Sequence, residues 1–125
     1  MAQVQQATTS FEELRRAVAA DDIVRALEGV GFTQRQIADA AGASDRSVRN
    51  WLVSGAIRPV FDERIRELSE ISILLSTTMT PRGVTQWFSA RNRLLGGRRP
   101  VDLLAHGESE QVRRAAASFV EGAYI

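Results

Sequence analysis

The sequence predicts an all-α protein, and three features of the 125-residue chain support this fold class. Apolar residues recur at spacings of three and four, which is typical of one face of a helix. The clearest stripe is made by Phe61, Ile65, Leu68, Ile71 and Leu75. Most such segments follow a Ser, Thr or Asp residue and end near a glycine, as capped helices do. No segment alternates apolar and polar residues convincingly enough to predict a strand.

The first region, residues 1–20, is expected to hold a polar leader and one short helix. Ser10 and Glu13 match a capping box, in which each residue's side chain satisfies a backbone amide of the other. We expect this helix to continue to about Ala19. Asp21 is then expected to cap the second helix.

Two short helices joined by a tight turn are predicted within residues 21–58. Thr33 opens a capping box at the start of the first helix. Gly42 suits the positive φ that the turn requires, and Ser44 caps the helix that follows. Ala38 is small enough to let the second helix cross closely. This pattern predicts a helix-turn-helix, the motif that places its second helix in the major groove of DNA.

The outward residues of the second helix are candidate DNA contacts. Arginine side chains can donate two hydrogen bonds to guanine, and asparagine can pair in the same way with adenine. Aspartate is less favourable near DNA, and we expect it either to pair with Arg49 or to accept from a cytosine amine. The alternative is a plain helical hairpin with solvated arginines. The candidate contacts are Ser44, Asp45, Arg46, Arg49 and Asn50.

The remainder of the chain divides into a connecting or dimerisation helix, residues 59–84, and a C-terminal region, residues 85–125. Thr80 and Pro81 match a cap and a first-turn proline. Pro100 is expected to open a short helix, and Ser109 or a neighbour the last one. This last helix is expected to carry Val112, Ala116, Phe119 and Val120.

The segment from Thr85 to Ile125 resembles the C-terminal toxin-binding domain of the Xre/MbcA/ParS antitoxin family. With the helix-turn-helix, the resemblance covers about residues 21–125. The most specific part is the run Leu-Gly-Gly-x-x-Pro-x-x-Leu-Leu. The features that carry the resemblance are Trp87, the block from Asn92 to Leu104, Gly107, Val112 and the pair Glu121-Gly122 before an aromatic residue.

The resemblance implies the antitoxin half of a type II toxin–antitoxin pair. Partners in this family are RES-type toxins that degrade NAD, and the antitoxin's C-terminal region covers the toxin's active site. The helix-turn-helix of such proteins commonly binds operator DNA and represses the shared operon. We expect a homodimer or a higher toxin–antitoxin hetero-oligomer. The candidate toxin contacts are Arg98, Arg99, Arg113, Arg114, Glu121, Gly122, Tyr124 and Ile125.

Two of these assignments stay open at the level of sequence. The tail that ends in Tyr124 and Ile125 either contacts the toxin or folds back onto the core. A basic cluster precedes it, and its members are contacts to toxin, contacts to operator phosphate, or solvated side chains. The cluster consists of Arg91, Arg93, Arg98 and Arg99.

Composition argues against several other classes of protein. There is no cysteine, so disulfides and thiolate metal sites are excluded. One histidine and no phosphate-binding loop give no support for an enzyme, and we expect no cofactor and no metal. No apolar run suits a membrane span and the N-terminus does not match a secretory signal, so we expect the cytoplasm. The competing hypothesis is a stand-alone Xre-type regulator whose second domain dimerises or senses a ligand.

Overall fold

A computed structural model of the protein describes residues 11–122, and almost all of this range is helical or in short turns. Within it, the only extended pairing is an isolated bridge between Asn92 and Arg98, so the all-α prediction is confirmed. The elements in order are α1 (residues 11–16), α2 (Ala20–Val30), α3 (Gln34–Ala41), α4 (Asp45–Ser54), α5 (Pro59–Leu75), α6 (Pro81–Ser89), a 3-10 turn (Arg93–Leu95), α7 (Pro100–Ala105) and α8 (Ser109–Gly122).

Helix α3 lies at the centre of the molecule and packs against α4, α5 and α7, most extensively against α7. Its apolar face is fully enclosed, since Ile37, Ala38 and Ala41 have no exposed surface. The α5 stripe predicted from the sequence supplies the opposite wall with Ile65, Leu68, Ile71 and Leu75, all buried. The region of the helix-turn-helix and the C-terminal region therefore share one core. The division into residues 1–20, 21–58, 59–84 and 85–125 stays a prediction.

Local chemistry explains where several helices begin. The capping box of Thr33 is complete, because its Oγ1 accepts from the Gln36 amide while the Gln36 side chain accepts from the Thr33 amide. Ser44 caps α4 by accepting from the amide of Ser47. Thr80 caps α6, and a proline takes its first position. Each of these three starts was predicted correctly.

The first two helices differ from the prediction. Helix α1 ends at residue 16 and does not reach Ala19, and Ser10, the expected cap, lies outside the described residues. Ala19 is the cap residue of α2 and makes no side-chain hydrogen bond there. Asp21 instead lies in the first turn, where Arg25 Nη1 donates to its carboxylate at 2.8 Å. Because Arg25 also donates to the Leu52 carbonyl, this aspartate positions a contact between α2 and α4.

The C-terminal helices complete the fold. Helix α6 ends at Ser89, and the next residue, Ala90, is extended, with φ −89° and ψ 151°. Phe119, near the end of α8, is 40% exposed. Pro100 and Ser109 open α7 and α8 as predicted.

None of the helices within residues 11–122 combines the length and the apolar composition that crossing a bilayer would need.

Candidate functional site

The turn between α3 and α4 is built around one glycine. Gly42 has φ +75° and ψ 32°, and its amide donates to the carbonyls of Ala38 and Asp39. A glycine adopts this left-handed conformation without steric cost. The turn lets α4 leave α3 after two further residues, with Val48 and Trp51 directed into the core. The structure thus has the helix, turn and helix that the sequence predicts.

The opposite face of α4 carries the candidate DNA contacts. Ser44, Arg46, Arg49 and Asn50 are all exposed. Arg46 and Arg49 form no ion pair with any other residue in the range 11–122. Two arginines and one asparagine on one free helix face are able to bind base edges or phosphates.

Asp45 does not pair with Arg49, so the first of the two expectations for this residue was wrong, and the contact with cytosine stays a prediction. Its nearest cation is Arg35 of α3, whose Nη1 lies 3.6 Å from Asp45 Oδ1. At this separation the two charges attract each other without a hydrogen bond, which agrees with Oδ1 being buried and without a donor. The contact brings the N-terminal turn of α3 beside the first residue of α4. It also neutralises the acid at the start of α4 and leaves Arg46 and Arg49 as net positive charge on this helix.

Asp39, the second acid of this region, is half-buried on α3. A hydrogen bond from Arg99 to the carboxylate of Asp102 raises the pKa of Arg99, and the charge of Asp39 raises it further. Asp39 is therefore near Arg99, the residue that precedes α7.

All four arginines proposed as toxin contacts have acidic neighbours. Arg98 lies 3.5 Å from Glu108, and Arg99 makes two hydrogen bonds to Asp102 at 2.9 and 3.0 Å. The two arginines of α8 also have acidic neighbours. Arg113 binds Glu70 on α5 at 3.2 Å, and Arg114 lies 3.4 Å from Glu110. The structure thus distributes these arginines around α7 and α8 and does not gather them into one cationic pocket.

A groove that the sequence did not single out lies between the 3-10 turn and α8. It has a volume of about 280 Å³ and is lined by Leu94, Leu95, Gln111, Arg114, Ala115 and Ser118. Leu95 is buried, whereas its neighbour Leu94 is 64% exposed. The adjacent leucines were a usable signal, because a tight turn cannot direct two consecutive side chains into the same core. Phe119 follows Ser118 on α8 and adds a second exposed apolar side chain.

The last predicted contacts fall at the end of α8. Glu121 and Gly122 are exposed in its final turn. Tyr124 and Ile125 lie outside the described residues, so both interpretations of the tail stay open. The groove residue Ser118 is followed along α8 by Phe119 and Glu121, and we refer to the four exposed residues Leu94, Ser118, Phe119 and Glu121 as the α8 surface.

Comparison with known proteins places this geometry in a family. No family model matches the chain. A probable mycobacterial cidal antitoxin, Rv3188 of Mycobacterium tuberculosis, is 52% identical over 112 residues, which cover 90% of this chain and 96% of that protein. The mycobacterial cidal antitoxin MbcA of Mycobacterium bovis is 30% identical over 110 residues, covering 86% and 96%.

A solved structure leads to the same family. It is the crystal structure of the M. tuberculosis MbcT–MbcA toxin–antitoxin complex, and the matching chain has a TM-score of 0.70 and 28% identity. The match covers 87% of this chain and 100% of that one. Because both sequence and fold agree over nearly the full length, the chain belongs to the MbcA-like family of mycobacterial cidal antitoxins.

Proposed function

We propose that this protein is the antitoxin of a cytoplasmic type II toxin–antitoxin pair and that its C-terminal region binds and neutralises a cognate toxin. The observation that carries the proposal is the 52% identity to a probable antitoxin over 90% of the chain. The likeness to an antitoxin solved together with its toxin supports a protein partner. The resemblance in residues 85–125 supports a RES-type partner that degrades NAD, with its active site covered by this region.

The α8 surface suits a protein partner physically. Exposed apolar side chains that cluster on one face commonly mark an interaction site, and Leu94 and Phe119 are 64% and 40% exposed. Aromatic residues are frequent among the side chains that dominate binding energy. The ion pairs of Arg98 and Arg114 lie around this groove. Exposed pairs stabilise a fold by only about 0–1 kcal/mol, so these arginines are able to exchange partners for carboxylates of a toxin.

The first experiment tests neutralisation and affinity together. The protein is co-expressed with the RES-type protein of its neighbouring gene, and cell survival and the dissociation constant are measured. Phe119→Ser should weaken binding at least tenfold, as expected when a central apolar contact worth about 2 kcal/mol is lost. Val18→Ser is the matched control, because Val18 is 78% exposed and lies outside the α8 surface. Equal binding by both variants would exclude the α8 surface as the toxin contact.

The tail is tested by deleting residues 121–125. Glu121 and Gly122 are exposed at the end of α8, so their removal should leave the fold intact. If the tail covers the toxin's active site, the shortened protein should bind more weakly and fail to protect cells. Full protection by the shortened protein would show that neutralisation does not depend on the tail.

We also propose that α4 binds operator DNA and that the protein represses its own operon as a homodimer or within a toxin–antitoxin hetero-oligomer. The free face formed by Arg46, Arg49 and Asn50 supports this activity. A single recognition helix buries little surface, so two copies on one operator are expected. Arg49→Ala should cost about 1–3 kcal/mol if the guanidinium pairs with guanine. A gel shift at low salt that shows unchanged binding would remove this helix from DNA recognition.

The alternative hypothesis is a stand-alone transcription regulator that has no toxin partner. It predicts operator binding by the purified protein but no stable protein partner. Affinity purification from the native host separates the two hypotheses, because only an antitoxin should recover a stoichiometric, salt-resistant toxin.

A further inference from the structure

The basic cluster at residues 91–99 divides into two groups in the structure. Arg98 and Arg99 are held by Glu108 and Asp102. Arg91 and Arg93 are exposed and form no ion pair or side-chain hydrogen bond with any residue from 11 to 122. Arg93 directly precedes Leu94 and therefore belongs beside the α8 surface. Arg91 therefore remains a free cation, and its position indicates a partner other than the one that the α8 surface binds.

A chain of contacts connects Arg91 to the recognition helix. Asp45, the first residue of α4, lies 3.6 Å from Arg35 in the first turn of α3. The next residue, Gln36, donates from Nε2 to Ser89 Oγ at 2.9 Å and to the Thr85 carbonyl at 3.1 Å. These two hydrogen bonds hold the C-terminal end of α6 against the N-terminal turn of α3.

Arg91 follows Ser89 by two residues along an extended segment. Two extended residues span at most about 7 Å, and Ala90 has the extended conformation. The backbone of Arg91 therefore lies within about one side-chain length of the N-terminal turn of α3. That turn lies beside the N-terminal end of α4, the end that contacts bases in a helix-turn-helix.

We propose that Arg91 binds a backbone phosphate of the DNA that α4 contacts, so that the C-terminal region extends the DNA footprint of the helix-turn-helix. The inference rests on the proposed operator binding. Duplex DNA carries one negative charge per about 1.7 Å of its axis, so a free cation beside the recognition helix has phosphate within reach. Contacts of this kind set position and affinity and carry no sequence information.

This assignment explains the role of Gln36. One amide side chain completes the cap of α3 and also binds α6. The same group therefore fixes the helix-turn-helix and the segment that carries Arg91 in one rigid arrangement. A phosphate contact needs this rigidity, because an arginine on a free linker would lose side-chain and backbone entropy on binding.

The test is the salt dependence of DNA binding by the full chain. Binding is measured by fluorescence anisotropy to a duplex of three helical turns, about 30 base pairs, taken from upstream of the protein's own gene, and to a scrambled duplex. Arg91→Ala should lower the slope of log K against log salt by roughly 0.9 per bound copy on both duplexes, the value for one phosphate contact per copy. Arg91→Lys should restore the slope, because lysine supplies the same point charge.

Arg16→Ala is the matched control. Arg16 is exposed and has no ion pair within the described range. It lines a groove with Asp22 and Arg25 at the start of α2, on the side where α2 meets the C-terminal end of α4. Its removal changes net charge equally and should leave the slope as in the wild type.

The remaining outcomes distinguish failure of the phosphate contact from failure of operator binding and from a role of Arg91 in toxin binding. An unchanged slope for Arg91→Ala, with specific binding still lost in Arg49→Ala, would overturn the phosphate contact and leave operator binding in place. Failure of the wild-type chain to bind either duplex at low salt would overturn both. An unchanged slope with weakened toxin binding would assign Arg91 to the toxin instead.

Discussion

Replacing Gly42 by alanine tests how tightly the turn of the helix-turn-helix is held against α7. Two costs add at this position. An L-residue in the left-handed conformation costs about 1–2 kcal/mol, and Gly42 has φ +75°. A Cβ there would also lie 3.2 Å from the Ala105 carbonyl oxygen and 3.0 Å from Arg64 Nη1. Overpacking of this kind typically costs a further 1–3 kcal/mol, as a rough range.

A small movement of the Arg64 side chain would strain its own hydrogen bond. Its Nη1 donates to the Ala41 carbonyl at 3.0 Å, and the Ala105 oxygen belongs to backbone and moves less easily. We therefore expect Gly42→Ala to lower the free energy of unfolding by about 2–5 kcal/mol in total. Most small domains have only about 5–15 kcal/mol to lose.

Gly107→Ala is the control, because this substitution introduces backbone strain without a close steric contact. Gly107 has φ +78°, and no neighbouring atom lies within 4 Å of the position that a Cβ would take. Its substitution should therefore cost about 1–2 kcal/mol. Urea unfolding followed by tryptophan fluorescence measures both variants, since Trp51 is buried in α4. An equal loss of stability in the two variants would refute the close contact between the turn and α7.

Three further predictions concern the same framework. Gln36→Leu should lower the free energy of unfolding by about 1–3 kcal/mol, because it removes the reciprocal cap and two hydrogen bonds to α6; an unchanged urea midpoint would show that α6 is held otherwise. Leu68→Ala should cost about 2–5 kcal/mol, because this α5 side chain has no exposed surface; a loss under about 1 kcal/mol would contradict its place in the core. A hydrogen bond from Arg25 lowers the pKa of Asp21, so the stability from this pair is present above the ordinary carboxyl pKa and is lost as pH falls through the lowered value. Asp21→Asn should therefore be less stable than wild type at neutral pH and approach it as the pH falls below the ordinary carboxyl pKa; a constant difference in urea midpoint across that range would count against the ion pair.

Local signals in the sequence predicted much of the fold. Thr33, Ser44 and Thr80 were assigned as caps from their own side chains and the residues that follow, and capping depends on only a few neighbours. Gly42 was assigned to a left-handed turn for the same reason. Asp21 was misplaced because an aspartate is equally suited to the first turn of a helix, where the dipole and a following arginine stabilise it.

The functional surfaces were less accessible from sequence because they depend on tertiary contacts. Spacing along α4 could not show that Asp45 lies beside a cation on another helix. Four of the five candidate DNA contacts, Ser44, Arg46, Arg49 and Asn50, are exposed, whereas Asp45 is half-buried. DNA binding by these residues stays a prediction.

The enclosed helix α3 has a consequence for how such proteins diversify. Helix α3, with its four buried side chains, packs against α4, α5 and α7. A helix-turn-helix taken from a relative would therefore present a poorly matched surface to α7. Exchange of the two halves by recombination is therefore unfavourable. Under the proposed function, specificity for new operators and new toxins should instead arise through exposed positions on α4 and on the α8 surface, while α3 changes only together with its neighbours.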